Sequence, residues 1–180
     1  MLSIWRETYE TERLRLRPLA MSDGEPLNAL QRDPHMMRYF GGPYLRAQTD
    51  TWLEWHVAMW EQEGYSHWAA ELKEKGTFVG WVGLTKVWEP EDLLPATEVG
   101  WFVDRRHWGA GLATEGGRCS LAFGFKELGL DRIIARYNPD NLASGKVMEK
   151  LGMRHACDLP RSDGPGIARV FEIRAEQMPS

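Results

Sequence analysis

A chain of 180 residues with 43% hydrophobic and 27% charged residues has the make-up of a folded protein, long enough for one domain with a substantial core and too short for two ordinary ones. Its net charge of −4 excludes the basic footprint of a duplex nucleic-acid binder. No run is long and apolar enough to span a bilayer, and the opening residues lack the basic-then-apolar layout of a secretory signal, so a cytoplasmic protein with no membrane partner is expected.

Leu14 to Pro18 alternates apolar and basic residues, as a half-buried strand ended by proline does. Met21 to Phe40 reads as a helix starting near Ser22 or Asp23 and broken at Asp33-Pro34. A further helix runs from about Gln48 to Gln62, with Trp52, Trp55, Met59 and Trp60 at helical spacing and Gly64 as its stop. Tyr65 to Leu72 and Thr77 to Trp88 form a hairpin through Lys73-Glu-Lys-Gly76. Glu89 to Ala96 is a loop and Thr97 to Val103 a strand. Gly111 to Leu128 is a helix with Leu121, Phe125 and Leu128 on one face; Asp131 to Tyr137 is a strand; Asn141 to Leu151 is a helix closed by Gly152. Strands near Met153 to Cys157 and Ala168 to Arg174 flank a Gly/Pro/Ser/Asp loop. This order predicts one α+β (mixed α/β) domain over residues 1–180.

The nine tryptophans are expected in the core or lining a pocket. Cys119 and Cys157 have no partner spacing for a metal or a nucleophile and read as small apolar residues with free thiols. His35, His56, His67, His107 and His155 are scattered without ligand spacing, so no metal is expected.

The chemistry concentrates in Arg105-Arg-His-Trp-Gly-Ala-Gly-Leu-Ala-Thr114. A strand ends, two glycines turn the chain, and a helix begins at once. Unpaired N–H groups at a helix start and the helix dipole favour an anion, and Gly109 and Gly111 let backbone approach a phosphate closely. Arg105 and Arg106 add positive charge suited to a pyrophosphate. A Walker loop is excluded because no Lys-Ser or Lys-Thr follows the glycines. A dinucleotide fingerprint is excluded because Thr114 stands in place of the third small residue and no ribose-binding acid ends the next strand.

Arg106-x-x-Gly109-x-Gly111-x-Ala113 resembles the pyrophosphate loop of the GNAT superfamily of N-acetyltransferases. Thr11-Glu-Arg-Leu-Arg-Leu-Arg-Pro18, Glu98-Val-Gly-Trp-Phe-Val through Trp108-Gly-Ala-Gly-Leu-Ala-Thr-Glu115, and Asn138-Pro-Asp-Asn-Leu-Ala-Ser144 through Met-Glu-Lys-Leu-Gly-Met153 resemble its RimJ/RimL-type branch, the ribosomal-protein N-terminal acetyltransferases and their relatives. The resemblance covers nearly the whole chain, with three blocks in order. It implies a mixed, mostly antiparallel sheet of about seven strands flanked by helices. Its two central strands, Thr97 to Val103 and Asp131 to Tyr137, splay apart. In that notch the pantetheine of coenzyme A would meet the backbone of Phe102 and Val103, and the pyrophosphate would rest on the amides of Arg106, Trp108, Gly109, Ala110, Gly111, Leu112, Ala113 and Thr114.

The resemblance also implies chemical roles. Glu98 is either the base that deprotonates the amine through water or a strand carboxylate paired with an arginine. Asn141 is either a helix cap or a pantetheine ligand. Ser144 lies near the sulfur as an acid, and Met148 replaces the tyrosine acid that many relatives carry. Lys146 and Lys150 read as a solvated helix face. Tyr39, Phe40, Trp52 and Trp55 are expected around the acceptor, with core packing as their other reading. The expected protein is an acetyl-CoA-dependent N-acetyltransferase acting on a peptide N-terminus or a small-molecule amine by direct transfer in a ternary complex. A non-catalytic acyl-CoA sensor and a transferase for a longer acyl group such as succinyl are the alternatives; a homodimer is implied by the family alone.

Overall fold

A computed structural model describes residues 8–88, 90, 93–161 and 165–178. Glu89, Glu91 and Asp92 of the first expected loop and residues 162–164 of the last lie outside the described residues. The chain runs β1 (Tyr9–Glu10), β2 (Leu14–Pro18), α1 (Gly24–Gln31), α2 (Pro34–Met37), α3 (Arg46–Gln62), β3 (His67–Leu72), β4 (Thr77–Val87), β5 (Ala96–Val103), α4 (Leu112–Lys126), β6 (Arg132–Tyr137), α5 (Leu142–Lys150), β7 (Arg154–Pro160) and β8 (Ile167–Arg174).

One sheet holds eight strands in the order β1-β2-β3-β4-β5-β6-β8-β7. The count exceeds the expected seven because Tyr9–Glu10 adds a two-residue strand along β2, too short to carry any periodicity. Every neighbouring pair is antiparallel except β5 and β6. Those two meet in parallel at a single pair, Glu98 beside Ile134, and then part. The next rung would set Gly100 beside Arg136; instead the Arg136 N–H is donated to the Glu98 carboxylate at 3.0 Å. This is the expected splay.

Period-two alternation divides the core between the faces. Leu14, Leu16, Trp68, Val82, Leu84, Val99 and Ile133 pack under α4 with Leu121 and Phe123. Leu19, Ala69, Trp81 and Phe102 turn the other way, to Leu27, Leu30, Met36 and Leu53 of the first helices. Helix α4 sits close on the sheet because its inner face carries glycine: a Cβ at Gly116 would lie 2.7 Å from a Val82 methyl, and one at Gly124 2.6 Å from Ile133 Cδ1. Both cysteines are free and partly buried, and burial pushes the Cys119 thiol up to about 11, which makes it inert. Among the described residues no cluster of three metal-ligating side chains occurs and no helix is long and apolar enough to cross a membrane.

Candidate active site

Gly109 and Gly111 both take left-handed backbone angles, φ 77° and 85°, at the turn that delivers the chain from β5 into α4. A side chain at Gly109 would meet nothing within 4 Å, so the turn's outer surface is open. Gly111 is the N-cap of α4 and supplies no side-chain cap. The first backbone N–H returned to the helix is that of Glu115, to the Gly111 carbonyl at 3.0 Å. The side chains of Leu112 and Thr114 are buried in the core. The amides of the first turn, positions 112 to 114, therefore keep their N–H groups for an external acceptor, at the positive end of a 15-residue helix.

The polar residues around this turn hold it in shape. Asp104 is buried and accepts from the Arg106 N–H at 3.0 Å and from Arg106 Nε at 2.8 Å. Burial alone would raise its carboxyl; the hydrogen bonds and charge of Arg106 outweigh burial and hold it below the usual carboxylate range. Arg105 pairs with Asp33 at 2.9 Å. The two arginines expected to serve a phosphate are thus each offset by a carboxylate, and the Arg106 N–H is already donated. Trp108 donates its indole N–H to the Val103 carbonyl at 2.6 Å, which folds the loop back on the strand end.

Arg13 is a cation that sequence reasoning missed. Its guanidinium reaches the Ala110 carbonyl at 2.7 Å and pairs with Glu115 at 2.7 Å. Glu115 also accepts from Thr11 Oγ1 and the Arg13 N–H, so the start of β2 is tied to the first turn of α4.

The parity of β5 corrects one expectation. The Phe102 carbonyl lies against Gly80, and the Asp104 N–H is donated to Val79, so these groups face β4. Alternation then turns the backbone of Trp101 and Val103, not Phe102, toward the notch. The Phe102 ring instead packs on Phe40 and Trp81.

Beside the notch lies a cavity of about 740 Å³. Glu98, Asn141, Ser144 and Met148 all line it, so the structure brings the expected chemical residues together. Glu98 is fully engaged by Arg136, a partner that sequence reasoning did not name. Oε1 accepts the Arg136 N–H at 3.0 Å, Nε lies 3.2 Å from both oxygens, and Nη2 is 2.6 Å from Oε2. Of the two readings of Glu98, this is the geometry of the ion pair. Asn141 caps α5, its Oδ1 accepting from the Ser144 N–H at 3.3 Å. Tyr137, on β6, also lines the cavity; a Cβ at Gly145 would stand 3.1 Å from its hydroxyl, so a phenol sits against the first turn of α5 where Met148 offers none.

Tyr39 and Phe40 line the cavity, and the Tyr39 hydroxyl is donated to the Asp140 carbonyl at 2.9 Å, strapping the segment after α2 to the start of α5. Trp52 stands one layer behind the cavity, stacked toward His56, His67 and Trp81. Trp55 lies outside it, half-exposed on α3 and edge-on to His56, because its helical phase turns it away from the sheet. Of the other tryptophans, Trp60 and Trp68 are core, and Trp81, Trp88 and Trp101 line the cavity.

The profile of the acetyltransferase (GNAT) domain matches residues 13–154. The chain is 35% identical over 158 residues to the uncharacterized protein YkkB of Bacillus subtilis, covering 86% of this chain and 90% of that one. It is 34% identical over 157 residues to FsC-acetyl coenzyme A-N(2)-transacetylase of Aspergillus fumigatus, covering 82% of this chain but only 65% of that longer protein. Among solved structures, an acetyltransferase from Agrobacterium tumefaciens superposes with a TM-score of 0.81 at 30% identity, covering 97% and 96% of the two chains. Mycobacterium smegmatis RimJ in complex with CoA-disulfide gives 0.81 at 25% identity, covering 98% and 91%. A splayed parallel pair, an uncapped helix start after two left-handed glycines and these likenesses have one reading in common: the chain is an N-acetyltransferase of the GNAT family.

Proposed function

We propose that the protein transfers an acetyl group from acetyl-CoA to a primary amine by direct attack within a ternary complex. The observation that carries this reading is the uncapped amino terminus of α4 behind Gly109 and Gly111, next to the open edge of β5 and the cavity beyond it. The first-turn amides would hold the pyrophosphate, with Arg13, which is also paired with Glu115, as a cation at the turn. The backbone of Trp101 and Val103 would align the pantetheine along the open edge. When bound, acetyl-CoA supplies an acetyl group activated as a thioester. Ser144 of α5 and Tyr137 of β6, packed against that helix at Gly145, line the cavity and are the hydroxyls to which this reading gives the return of a proton to the departing sulfur.

Coenzyme A is expected to raise the melting temperature, because it binds the folded chain alone. Gly111→Val places a branched side chain at φ 85° on the helix N-cap and should remove most of that rise. An unchanged rise in the variant, measured by thermal shift with coenzyme A, would move the phosphate site elsewhere. A thiol-release assay with a panel of amines then separates an enzyme from an acyl-CoA sensor, and succinyl-CoA in place of acetyl-CoA tests the longer donor.

A carboxylate as engaged as Glu98 is a poor general base. The amine is therefore expected to enter the reaction as its small free-base fraction, losing its proton to water. The acid limb of kcat/KM should follow the acceptor's own ammonium pKa, shifting when a less basic acceptor is used. Glu98→Gln should lower turnover a few-fold by loosening Arg136 and leave that limb in place. A limb that disappears in the variant would restore Glu98 as the base.

A further inference from the structure

At one rung of the sheet His67 stands beside Gly83, and Gly83 beside Gly100. On the same face the neighbouring rungs carry Trp81 on one side and Thr85, paired with Glu98, on the other. With two glycines next to it, the His67 imidazole lies flat across the sheet. It stacks on Trp81 at 4.1 Å and 12°, and its Nε2 is 3.5 Å from where a Gly100 Cβ would be. His67, Trp81 and Thr85 all line the cavity.

Each of them carries buried polar atoms with no hydrogen-bond partner among the described residues: both ring nitrogens of His67, Nε1 of Trp81 and Oγ1 of Thr85. His67 itself is only 6% exposed. Folded proteins rarely leave such groups unmatched, because each loses its water and gains nothing. A phenylalanine, a leucine and a valine would fill the same wall without that cost. Burial, reinforced by the neighbouring His56, keeps the imidazole neutral, so one nitrogen donates and the other accepts. The row thus offers the indole N–H, a hydroxyl and a two-faced imidazole side by side, a set that matches an amide or another group with both a donor and an acceptor.

The rest of the wall fixes the body of the ligand. Phe40, Trp81, Trp88 and Trp101 give flat apolar surface. The charged residues of the described lining are Glu98, Arg136 and Arg161, and the single carboxylate is taken by Arg136. Among the described lining residues none would neutralise a second or third ammonium.

We propose that the His67–Trp81–Thr85 wall is the acceptor-recognition surface and that it selects a monoamine with a flat apolar body and a donor–acceptor group, against polyamines and other polycations. This rests on the N-acetyl-transfer reading above. The role assigned to His67 is recognition, and it takes no proton from the amine.

The test uses L-tryptophanamide and spermidine as acceptors with acetyl-CoA, on wild type, His67→Phe and His67→Asn. Wild type should favour tryptophanamide by at least about tenfold in kcat/KM, the range one well-matched polar contact commands. His67→Phe should lose at least about tenfold toward tryptophanamide, chiefly through KM. Its coenzyme A affinity should be unchanged and its melting temperature equal or higher, since the variant removes two unmatched nitrogens. His67→Asn, which can both donate and accept, should recover part of the loss. A preference for spermidine, or equal kcat/KM in wild type and His67→Phe, would overturn the proposal and leave the wall a water-filled one. If no acceptor is acetylated, the transfer reading fails and binding decides the wall separately. A thermal shift by tryptophanamide in the presence of coenzyme A, present in wild type and absent in His67→Phe, supports it, and no shift or equal shifts overturn it.

Discussion

Gly80→Ala is expected to remove most of the protein's stability and to abolish coenzyme A binding with it. At φ 129° a Cβ on residue 80 would sit 1.9 Å from the Phe102 carbonyl oxygen, 2.9 Å from its carbon and 3.2 Å from Val103 Cα. All three are backbone atoms of the paired strand, so no side-chain rotation relieves the clash; β4 and β5 must separate. Overpacking against movable side chains costs about 1–3 kcal/mol, and losses above about 4 are reserved for distortions of this kind. Against a typical total of about 5–15 kcal/mol, that leaves a marginal fold. The strand end that moves is the one whose Val103 carbonyl anchors Trp108 and whose outer edge faces the notch. Gly76→Ala is the matched control. Its φ is 60° and its Cβ would meet nothing within 4 Å, so only the left-handed angle is penalised, by about 1–2 kcal/mol. Urea unfolding of both variants checks the contrast. Equal losses would mean that the approach of β4 to β5 at Gly80 is not a constraint on the sheet.

That close approach also marks where the sequence stops being readable. The glycine turn, the helix that follows it and the two strands themselves are visible from residue types, because left-handed turns, helix starts and alternating strands depend on neighbours in sequence. The splay of those strands is implied by the family resemblance alone. Residues whose role depends on register are not visible. Whether Phe102 or Trp101 offers its backbone to the notch is a parity question settled by how β5 pairs with β4. Arg136 reads as one more cation on an alternating strand until the single rung between β5 and β6 sets its N–H beside Glu98. Arg13 meets Glu115 across 102 residues. His67 carries no ligand spacing, and what distinguishes it, two glycines beside it on β4 and β5, is a property of the sheet. Arg106 was legible as a charge near an anion site, but its commitment to Asp104 follows from a turn two residues long. The aromatic helix α3 was legible as a helix, and its phase against the sheet separates Trp52, in the stack behind the cavity, from Trp55, outside it.

Acid is expected to unfold the protein from well above the carboxylate range, and the cause is the histidine pair between α3 and the sheet. His56 is 3% exposed and lies between Trp52 and His67, with centroid distances of 3.9 and 4.3 Å. Its Nδ1 bonds the Ser66 hydroxyl at 2.8 Å, and among the described residues no carboxylate pairs with either ring. Burial lowers His56 to about 3; burial, with repulsion from His56, holds His67 well below its ordinary value. Both rings are neutral in the folded chain where both are protonated in the unfolded one. The unfolded state therefore binds more protons between an ordinary histidine value near 6.5 and the depressed folded values, and stability falls as pH drops through that window. At pH 5 each histidine should have cost about 2 kcal/mol relative to pH 7.5, about 4 for the pair. The depressed carboxyls of Asp104 and Glu115 act in the same direction, but only near and below the ordinary values of 3.8 and 4.5. They leave the region from pH 6.5 to 5 to the histidines. Urea midpoints at pH 7.5, 6.5, 5.75 and 5 measure the slope directly. His67→Phe has one fewer buried proton acceptor and should lose about half as much stability over the same interval, while matching or exceeding wild type at pH 7.5. If the variant and wild type lose stability in parallel, the imidazole of His67 takes up its proton in the folded state, and the neutral wall inferred for the acceptor site goes with it.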